Sequence, residues 1–295
     1  MTFADISITF HRFDTNIAKS PNCIIKKEMK ILIIPVNFNS YQELKRYLSS
    51  IDIAASKSTI TCIEVIVADN STDSELFDFS SYNNIKCAQI SKFDNIGYLG
   101  GAQAILNSLS DIDEYDFVAV SNVDIALDEN FFLELENTSL NSDIAWVATK
   151  IDSLDENRDR NPKVLHRYSK NKLVLLRLMY RFPILFYLYT MTAYKRKKLS
   201  PSYPQMEIYA GHGSFMMFTN AFFKRHPKIN YPVFLFGEEL YFAEEIRKLN
   251  MKVLYVPALR VIDNEHVSTS TLKKNTYFRY NQESIKYILD NYYNE

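Results

Sequence analysis

Glycine is scarce in this sequence, which contains only six among 295 residues. A chain with so few glycines is expected to use them where the backbone turns sharply or comes close to a ligand. The sequence has neither the G-x-G-x-x-G pattern of dinucleotide-binding folds nor a G-x-x-x-x-G-K-[ST] phosphate loop. The sequence therefore lacks the motifs that would be the main evidence for a dehydrogenase or a P-loop ATPase. The glycines fall at three places, Gly97/Gly100/Gly101, Gly211/Gly213 and Gly237.

Cysteine and net charge are also low. The three cysteines, Cys23, Cys62 and Cys87, lie far apart and form no C-x-x-C pair, so we expect reduced, structural thiols. A net charge of −1 and an isoelectric point near 6.5 provide no positive field that would neutralise phosphates. We therefore expect no nucleic acid among the partners. The N-terminus lacks the basic start and unbroken apolar run of a secretion signal, which predicts a cytoplasmic location.

The composition, 47% hydrophobic and 14% aromatic, is that of a packed globular chain. Residues 1–28 show no clear periodicity, and we predict an N-terminal extension to which no role is assigned. The main domain is predicted over 29–270, with an apolar and basic helical insertion over 160–205. A C-terminal helix is predicted over 271–295.

Apolar strands and amphipathic helices alternate along the first half of the chain. The continuous apolar run Ile31–Val36 is typical of a buried parallel strand, and Tyr41–Ile53 has helical periodicity after Ser40, a candidate N-cap. The pattern predicts an α/β fold with a doubly wound, mostly parallel sheet and flanking helices. Further strands are predicted at Ile63–Ala68, Lys86–Ile90 and Phe117–Ser121, with a helix that ends at Leu109.

Polar side chains follow the ends of these predicted strands. In a doubly wound sheet, ligands bind beyond the carboxyl ends of the strands. We therefore expect one cleft to collect Asn37, Asn39, Asp69, Asn95 and Asp124.

A candidate metal site begins at this cleft. Asp124 directly follows a buried strand, where it can hold a divalent cation against a diphosphate, and Asn122 can assist through its amide oxygen. His266 follows a later strand, and neutral imidazole is a common metal ligand. The alternatives are structural: an aspartate that caps a turn and a histidine that packs in the core.

A pair of carboxylates, Glu238 and Glu239, follows Gly237 at a predicted helix start. A base that takes a proton from a sugar hydroxyl requires a carboxylate held in the cleft, and this pair provides one. The alternative is the general preference of acidic residues for helix N-termini.

The segment Lys172–Lys198 has a distinct composition, in which leucine and aromatic residues are interrupted by Arg177 and Arg181. Pro183 lies within it, so a transmembrane helix is a poor explanation. Its basic ends favour a segment on the membrane interface. The alternative is a pair of helices packed on the domain, with a solvated basic turn at Lys195–Lys198.

From about Met29 to Arg279 the sequence resembles family 2 glycosyltransferases with the GT-A fold, especially the branch that contains bacterial rhamnosyltransferases and related polysaccharide-assembly enzymes. Seven motifs occur in the family order. They are Pro35–Ser40, Val67–Ser71, Asn95–Gly97, Ser121–Asp124, Gly213–Met216, Phe236–Glu239 and Glu265–His266.

The resemblance implies a nucleotide-sugar site in which Asp69 recognises the base and Asn39 and Asn95 lie near the base or ribose. It also implies that Asp124 and His266 hold the divalent cation, Mn²⁺ or Mg²⁺. The expected nucleotide-sugar-binding residues are Asn37, Asn39, Asp69, Asn95, Gly97, Asn122 and Gly213.

The resemblance further implies catalytic roles for the glutamate pair. Glu239 aligns with the usual catalytic aspartate of the family, and Glu238 with the acidic residue before it. The sequence departs from the family at Glu239, which is one methylene longer than aspartate, and at Asn122, where the metal motif usually begins with an acidic residue. Metal affinity and the choice of base between the two glutamates therefore stay open.

The implied reaction is a single displacement that inverts the anomeric centre. The expected donor is dTDP-rhamnose or a UDP-hexose, and the expected acceptor is a saccharide or lipid-linked saccharide of bacterial surface polysaccharide, met at the cytoplasmic face of the inner membrane. One alternative is a nucleotidyltransferase of similar fold, although Pro35–Tyr41 lacks the basic, glycine-rich loop expected of one. A second alternative, motivated by Asn122, is a membrane-associated binding protein with a decayed site.

Overall fold

A computed structural model describes residues 29–73, 75–192, 202–264 and 274–294. These residues form one ten-stranded sheet with helices packed on it, which confirms the predicted α/β class. The strands are β1 (Lys30–Asn37), β2 (Cys62–Asp69), β3 (Cys87–Lys92), β4 (Phe117–Ser121), β5 (Ile125–Leu127), β6 (Ile144–Ser153), β7 (Arg158–Asp159), β8 (Met206–Ile208), β9 (Phe215–Thr219) and β10 (Lys252–Asp263). The helices are α1 (Tyr41–Ser56), α2 (Tyr98–Ser108), α3 (Phe131–Asn137), α4 (Lys170–Arg181), α5 (Pro183–Thr192), α6 (Asn220–Arg225), α7 (Glu238–Lys248) and α8 (Lys274–Tyr292).

The strand order is β3-β2-β1-β4-β9-β6-β10-β5, with β7 beside β6 and β8 beside β10. Strands β1 to β4 are parallel neighbours, as predicted. Strand β9 is an exception in the middle of the sheet, since it runs antiparallel to both β4 and β6. Sequence did not indicate this reversal because a buried apolar run such as Phe215–Thr219 has the same pattern in either direction.

Strand β1 shows why the first apolar run has no polar alternation. Successive strand residues point to opposite faces of a sheet, and both faces are covered here. Ile31 and Ile33 pack in one core, whereas Leu32 and Ile34 pack in the other. The sheet is therefore the central layer between two sets of helices.

Helix α1 covers one face of the sheet and follows the predicted periodicity. Ser40 is its N-cap residue, but its hydroxyl donates to the carbonyl oxygen of Phe38 at 3.0 Å and makes no capping bond. Cys62, at the start of β2, has a buried free thiol. The predicted core positions of α1, Leu44, Tyr47, Leu48 and Ile51, are all buried.

The apolar and basic insertion contains two consecutive helices, α4 and α5. Helix α4 packs against α8 and buries Leu173 and Met179, as the packed-helix interpretation requires. The opposite side of α4 and much of α5 are exposed to solvent. Leu175 in α4 is 57% exposed, and Ile184 in α5 is 72% exposed. Among the described residues, none of the helices is both long and apolar enough to cross a membrane.

Three predicted features lie outside the described residues. They are the extension 1–28, the basic run Lys195–Lys198 and the motif Glu265–His266.

Candidate active site

The carboxyl ends of β1, β2 and β4 lie side by side, because these strands are parallel neighbours. Asn37 at the end of β1 is paired with Asp69 at the end of β2. On the other side of β1, Pro35 is paired with Ser121 at the end of β4. The loops that follow the three strands therefore open on the same edge of the sheet.

Asp69 is buried at this edge and its carboxylate is held by protein groups. Its Oδ2 accepts hydrogen bonds from the Tyr41 hydroxyl at 2.6 Å and the Lys92 ammonium at 3.1 Å. Its Oδ1 accepts from the Ser71 hydroxyl at 2.5 Å and the Asn37 amide at 3.1 Å. Burial alone would raise the pKa of Asp69, but the hydrogen bonds from Ser71, Tyr41 and Lys92 hold it below its ordinary value. The base of a bound nucleotide could therefore hydrogen-bond to Asp69 only by sharing its oxygens with these donors or by displacing one of them.

Asn39 and Asn95 are exposed beside this cluster. Asn39 has a φ of 52°, and its backbone N–H donates to the Ser71 hydroxyl at 2.7 Å. Its side-chain oxygen accepts from the Thr72 N–H at 3.1 Å. The Asn95 side-chain oxygen accepts from the Gly97 N–H at 3.3 Å. Both asparagines thus shape turns while they stay accessible to a ligand.

Gly97 lies where the loop before α2 touches the loop before α7. Its φ is 88°, and a Cβ at this position would lie 2.1 Å from the carbonyl oxygen of Phe234. The next residue, Tyr98, donates its N–H to the same oxygen at 3.2 Å. Only glycine allows this approach, which joins the two halves of the cleft.

Asp124 lies in the turn between β4 and β5 and is 7% exposed. The backbone N–H of Asn122 donates to the Ser214 carbonyl at 2.9 Å, which ties this turn to the start of β9. The backbone N–H of Asn264 donates to the Asp124 carbonyl at 3.1 Å. The end of β10 therefore reaches Asp124 just before the segment that contains His266.

The glutamate pair begins α7, after the turn at Phe236 and Gly237. Both turn residues have positive φ, 71° and 84°, and the Tyr231 hydroxyl fixes the turn by donating to the Phe236 carbonyl at 2.6 Å. For phenylalanine such a φ is strained, and strained backbone of this kind clusters at functional sites.

The two glutamates have different surroundings. Glu238 is 5% exposed, and within the described ranges its Oε1 has no hydrogen-bond partner. Burial, and then the neighbouring Glu239, raise the pKa of Glu238 above its ordinary value. Glu239 is half-buried, and its Oε1 lies 3.1 Å from the point that a Cβ on Gly213 would occupy. The pair therefore offers one inward carboxyl group and one that borders the cleft.

Tyr98 connects these groups, although the sequence motifs did not single it out. Its hydroxyl donates to the Gly213 carbonyl at 2.7 Å. Burial raises the pKa of Tyr98 far above its ordinary value, and Glu238, Glu239 and Asp124 raise it further through their charges. All three carboxyl groups are therefore close enough for their charges to act on the Tyr98 hydroxyl.

His212 is a second residue to which the motifs assigned no role. Its Nδ1 accepts a hydrogen bond from the Ser214 N–H at 3.2 Å, so the proton of the neutral ring is on Nε2. Burial lowers the pKa of His212 well below its ordinary value, and the positive charge of Lys163 lowers it further. His212 is thus a neutral imidazole next to Gly213.

The residues around Asp124 fit a divalent cation in part. A carboxylate and an amide oxygen, from Asp124 and Asn122, are ligands of the type that Mg²⁺ and Mn²⁺ prefer. Across the described ranges, no three His, Cys, Asp or Glu side chains converge as a complete metal site. The other predicted ligand, His266, lies outside those ranges.

Comparison with known proteins supports the resemblance seen in the sequence motifs. No family model matches the chain. A low-salt glycan biosynthesis hexosyltransferase, Agl10 of Haloferax volcanii, is 25% identical over 248 residues, which cover 83% of this chain and 71% of the relative.

Solved structures with the same fold include TarS of S. aureus, with a TM-score of 0.53 and 15% identity, and GalNAc-T7, crystallised with UDP, GalNAc and Mn²⁺, with a TM-score of 0.55 and 12% identity. Each match covers 90% of this chain, which spans 41% of the TarS chain and 50% of the GalNAc-T7 chain. A shorter TarS structure in complex with UDP-GlcNAc has a TM-score of 0.52 and 15% identity; the match covers 90% of this chain and 68% of that one. These matches confirm the GT-A fold and, with the hexosyltransferase relative, the predicted enzyme class, a glycosyltransferase.

Proposed function

We propose that this protein is an inverting glycosyltransferase that moves a sugar from a nucleoside-diphosphate sugar to a hydroxyl of a saccharide or lipid-linked saccharide. The observation that carries the proposal is that Gly213 and Ser214 join the groups at the carboxyl edge of the sheet. Gly213 accepts from the Tyr98 hydroxyl at 2.7 Å and borders the Glu239 carboxylate, and Ser214 accepts from the Asn122 N–H at 2.9 Å in the turn that contains Asp124. Direct displacement requires a group that stabilises the leaving diphosphate and a carboxylate that accepts a proton, both within one cleft.

Glu239 is the proposed base. It borders the cleft beside Gly213, whereas Glu238 is buried and its raised pKa favours the protonated form. Glu239 takes the proton of the acceptor hydroxyl as the acceptor oxygen bonds to the anomeric carbon. The bond from that carbon to the diphosphate oxygen breaks on the opposite side, which inverts the configuration.

The donor is proposed to lie across the carboxyl edge, with its nucleotide near Asn37, Asn39, Asp69 and Asn95. The diphosphate then points toward Asn122, Gly97 and Gly213. A uridine donor is supported by the UDP-GlcNAc complex of TarS, and a hexose by the hexosyltransferase relative, so we favour a UDP-hexose over dTDP-rhamnose.

A divalent cation, Mn²⁺ or Mg²⁺, is proposed at Asp124 with His266 as a second ligand. Two residues of extended chain span at most about 7 Å, and Asn264, two residues before His266, is hydrogen-bonded to Asp124. When bound there, such an ion neutralises charge on the leaving diphosphate. The Mn²⁺ in the GalNAc-T7 structure supports this proposal.

The open side of α4 and α5 is proposed to rest on an anionic membrane surface, near a lipid-linked acceptor. From Arg160 to Met206 the sequence has eleven Lys and Arg residues, Arg160 included, and no Asp or Glu. Apolar side chains that enter the interface, flanked by positive charge, are typical of segments that bind anionic lipid. We define the α4–α5 surface by its exposed apolar residues, Val174, Leu175, Leu178, Phe182, Ile184, Leu185, Tyr187 and Met191.

The test of the transferase is a panel of UDP-hexoses, UDP-N-acetylhexosamines and dTDP-rhamnose, each with and without Mn²⁺ or Mg²⁺. We expect release of nucleoside diphosphate from one donor class, enhanced by the metal and by a saccharide acceptor, with a product of inverted anomeric configuration by NMR. A retained configuration would contradict the inverting mechanism. Pyrophosphate release from a nucleoside triphosphate, with no diphosphate from any donor, would contradict the transferase.

A further inference from the structure

A cavity of about 260 Å³ lies between the start of α4, the end of α7 and the end of α8, and none of its lining residues belongs to the candidate active site. Two arginines, a lysine and three tyrosines form most of its wall. We call it the α4–α8 pocket. It is lined by Arg167, Tyr168, Ser169, Lys170, Arg247, Tyr292 and Tyr293.

The two arginines are held in place by one fully buried carboxylate, Glu244. Its Oε1 accepts from Arg167 Nε at 2.7 Å, and its Oε2 accepts from Arg167 Nη2 at 3.2 Å and Arg247 Nε at 2.7 Å. The Arg167 guanidinium also stacks on the Tyr293 ring, 4.0 Å from its centroid. Burial would raise the pKa of Glu244, but bonds from Arg167, Tyr209 and Arg247 hold it below its ordinary value. Glu244 is therefore a fixed anion that orients both guanidinium groups.

Positive charge exceeds negative charge in the pocket. Among the residues that the structure describes, Arg167 and Arg247 share one carboxylate, Glu244, and Lys170 is paired with none, so two positive charges are left over. The nearest other acid on α7, Glu245, is bound by Lys248 and the Tyr292 hydroxyl and does not line the pocket.

Several hydrogen-bond donors in the pocket are unused. Among the residues that the structure describes, Arg167 Nη1, both terminal nitrogens of Arg247 and Lys170 Nζ have no acceptor. The arginine side chains are 36% and 48% exposed, so their free edges are accessible from solvent. Arginine forks match the tetrahedral oxygens of a phosphate, and the start of α4 adds the partial positive charge of a helix N-terminus.

The pocket adjoins the α4–α5 surface along one helix. Lys170 in the pocket and the exposed Val174 and Leu178 are at positions i, i+4 and i+8 of α4, so they lie within about 80° of one another around the helix. We infer that the α4–α8 pocket binds the phosphate headgroup of an anionic phospholipid on which the α4–α5 surface rests. This inference builds on the membrane part of the proposed function and is independent of the transfer reaction.

The test measures binding of the full-length protein to phosphatidylcholine vesicles that contain either phosphatidylglycerol or oleic acid, at equal surface charge. The pocket variant is Lys170→Gln/Arg247→Gln. The matched control is Arg177→Gln/Arg181→Gln, which removes two positive charges from α4 outside the pocket. Each exposed charge contributes about 1 kcal/mol near an anionic surface, so general attraction predicts a loss of about 30-fold for either pair.

A phosphate site adds a loss that only the pocket variant shows. On phosphatidylglycerol we expect the pocket variant to bind at least about tenfold more weakly than the control variant, because charge-assisted hydrogen bonds are lost with the charges. On oleic acid, whose planar carboxylate offers two oxygens in place of the tetrahedral oxygens of a phosphate, the difference between the two variants should be smaller. Lys170→Gln alone, at an exposed side chain, should show part of the effect and an unchanged melting temperature.

Three results would overturn the inference. If both variants lost the same amount of binding to phosphatidylglycerol vesicles, general electrostatic attraction would explain the binding without a phosphate site. Calorimetric binding of inorganic phosphate by the parent protein at submillimolar concentration, abolished in the pocket variant, would assign the pocket to a soluble phosphate instead. Absence of vesicle binding by the parent protein would contradict both the lipid-headgroup role of the pocket and the proposed membrane contact of the α4–α5 surface. Diphosphate release from the donor, measured on the same preparation, reports separately whether the transferase proposal holds.

Discussion

The hydroxyl of Tyr98 donates a hydrogen bond to the carbonyl oxygen of Gly213 at 2.7 Å, across 115 positions of sequence. The same Gly213 borders the Glu239 carboxylate. Tyr98 therefore holds the wall of the cleft against which the proposed base lies, and we assign it a positioning role.

Tyr98→Phe should lower kcat by about tenfold and leave the donor KM nearly unchanged, because the loss of this part-buried hydrogen bond is worth about 1 to 2 kcal/mol. The pH profile of kcat should also shift, since the Tyr98 hydroxyl lies within electrostatic range of Glu239. Phe234→Leu, which changes an apolar side chain of the adjoining loop, serves as a control for general loosening. If the pH profile of Tyr98→Phe matched that of the parent enzyme, the assignment of Tyr98 as a positioning residue would be contradicted.

A second prediction concerns the cation. Asp124→Asn keeps the size of the side chain but removes its charge, so turnover should fall by at least about 100-fold. His266→Ala should require more Mn²⁺ for half-maximal activity. Asp290→Asn, on the surface of α8, should leave both measurements unchanged. Parental turnover and an identical metal titration in both Asp124→Asn and His266→Ala would contradict the proposed ligands.

Sequence predicted the parts of this site that depend on local pattern. An unbroken apolar run such as Ile31–Val36 indicates a strand buried on both faces, and a parallel sheet then places polar residues such as Asn37 and Asp69 at one edge. The roles of these residues in donor binding are still predictions. What the pattern did not predict are contacts set by packing, because their partners are far apart in sequence.

The neighbours of Tyr98 and Glu238 are examples of such contacts. The Tyr98 hydroxyl meets Gly213 only after β9 is inserted antiparallel beside β4, and the apolar sequence of β9 does not indicate its direction. Likewise, two adjacent glutamates at a helix start differ by about 100° in projection, but only the fold decides which of them is buried.

Gly97 provides a prediction about stability. Gly97→Ala would place a Cβ 2.1 Å from the Phe234 carbonyl oxygen and impose a φ of 88° on alanine. Strain and overpacking together should lower the free energy of unfolding by about 2 to 5 kcal/mol. The control is Gly100→Ala within α2, where the nearest atom is 3.4 Å away and alanine favours the helix. Urea unfolding that ranks Gly97→Ala as equal to Gly100→Ala would show that the loop contact is dispensable.

The buried carboxyl of Glu238 predicts a pH-dependent stability. Its pKa in the folded state is raised above the ordinary value of 4.5, so between 4.5 and the raised value the folded protein holds a proton that the unfolded chain has released. Stability therefore falls as the pH rises through that window. Glu238→Gln should reduce this fall in urea titrations at pH 5 and pH 8, whereas the exposed Glu283→Gln should not. An unchanged pH dependence in Glu238→Gln would show that this carboxyl ionises normally in the folded protein.

The last prediction separates the two glutamates in catalysis. Glu239→Gln keeps the shape and hydrogen bonding of the side chain but removes its basicity, so kcat should fall by about 100-fold to 10,000-fold while donor affinity barely changes. Glu238→Gln should have a smaller effect, because a buried carboxyl that favours its protonated form resembles a neutral amide at the working pH. The comparison requires both variants in one assay of sugar transfer, with donor binding measured by calorimetry. Loss of transfer in Glu238→Gln with near-parental activity in Glu239→Gln would reverse the assignment, and parental activity in both would move the base to another residue of the cleft.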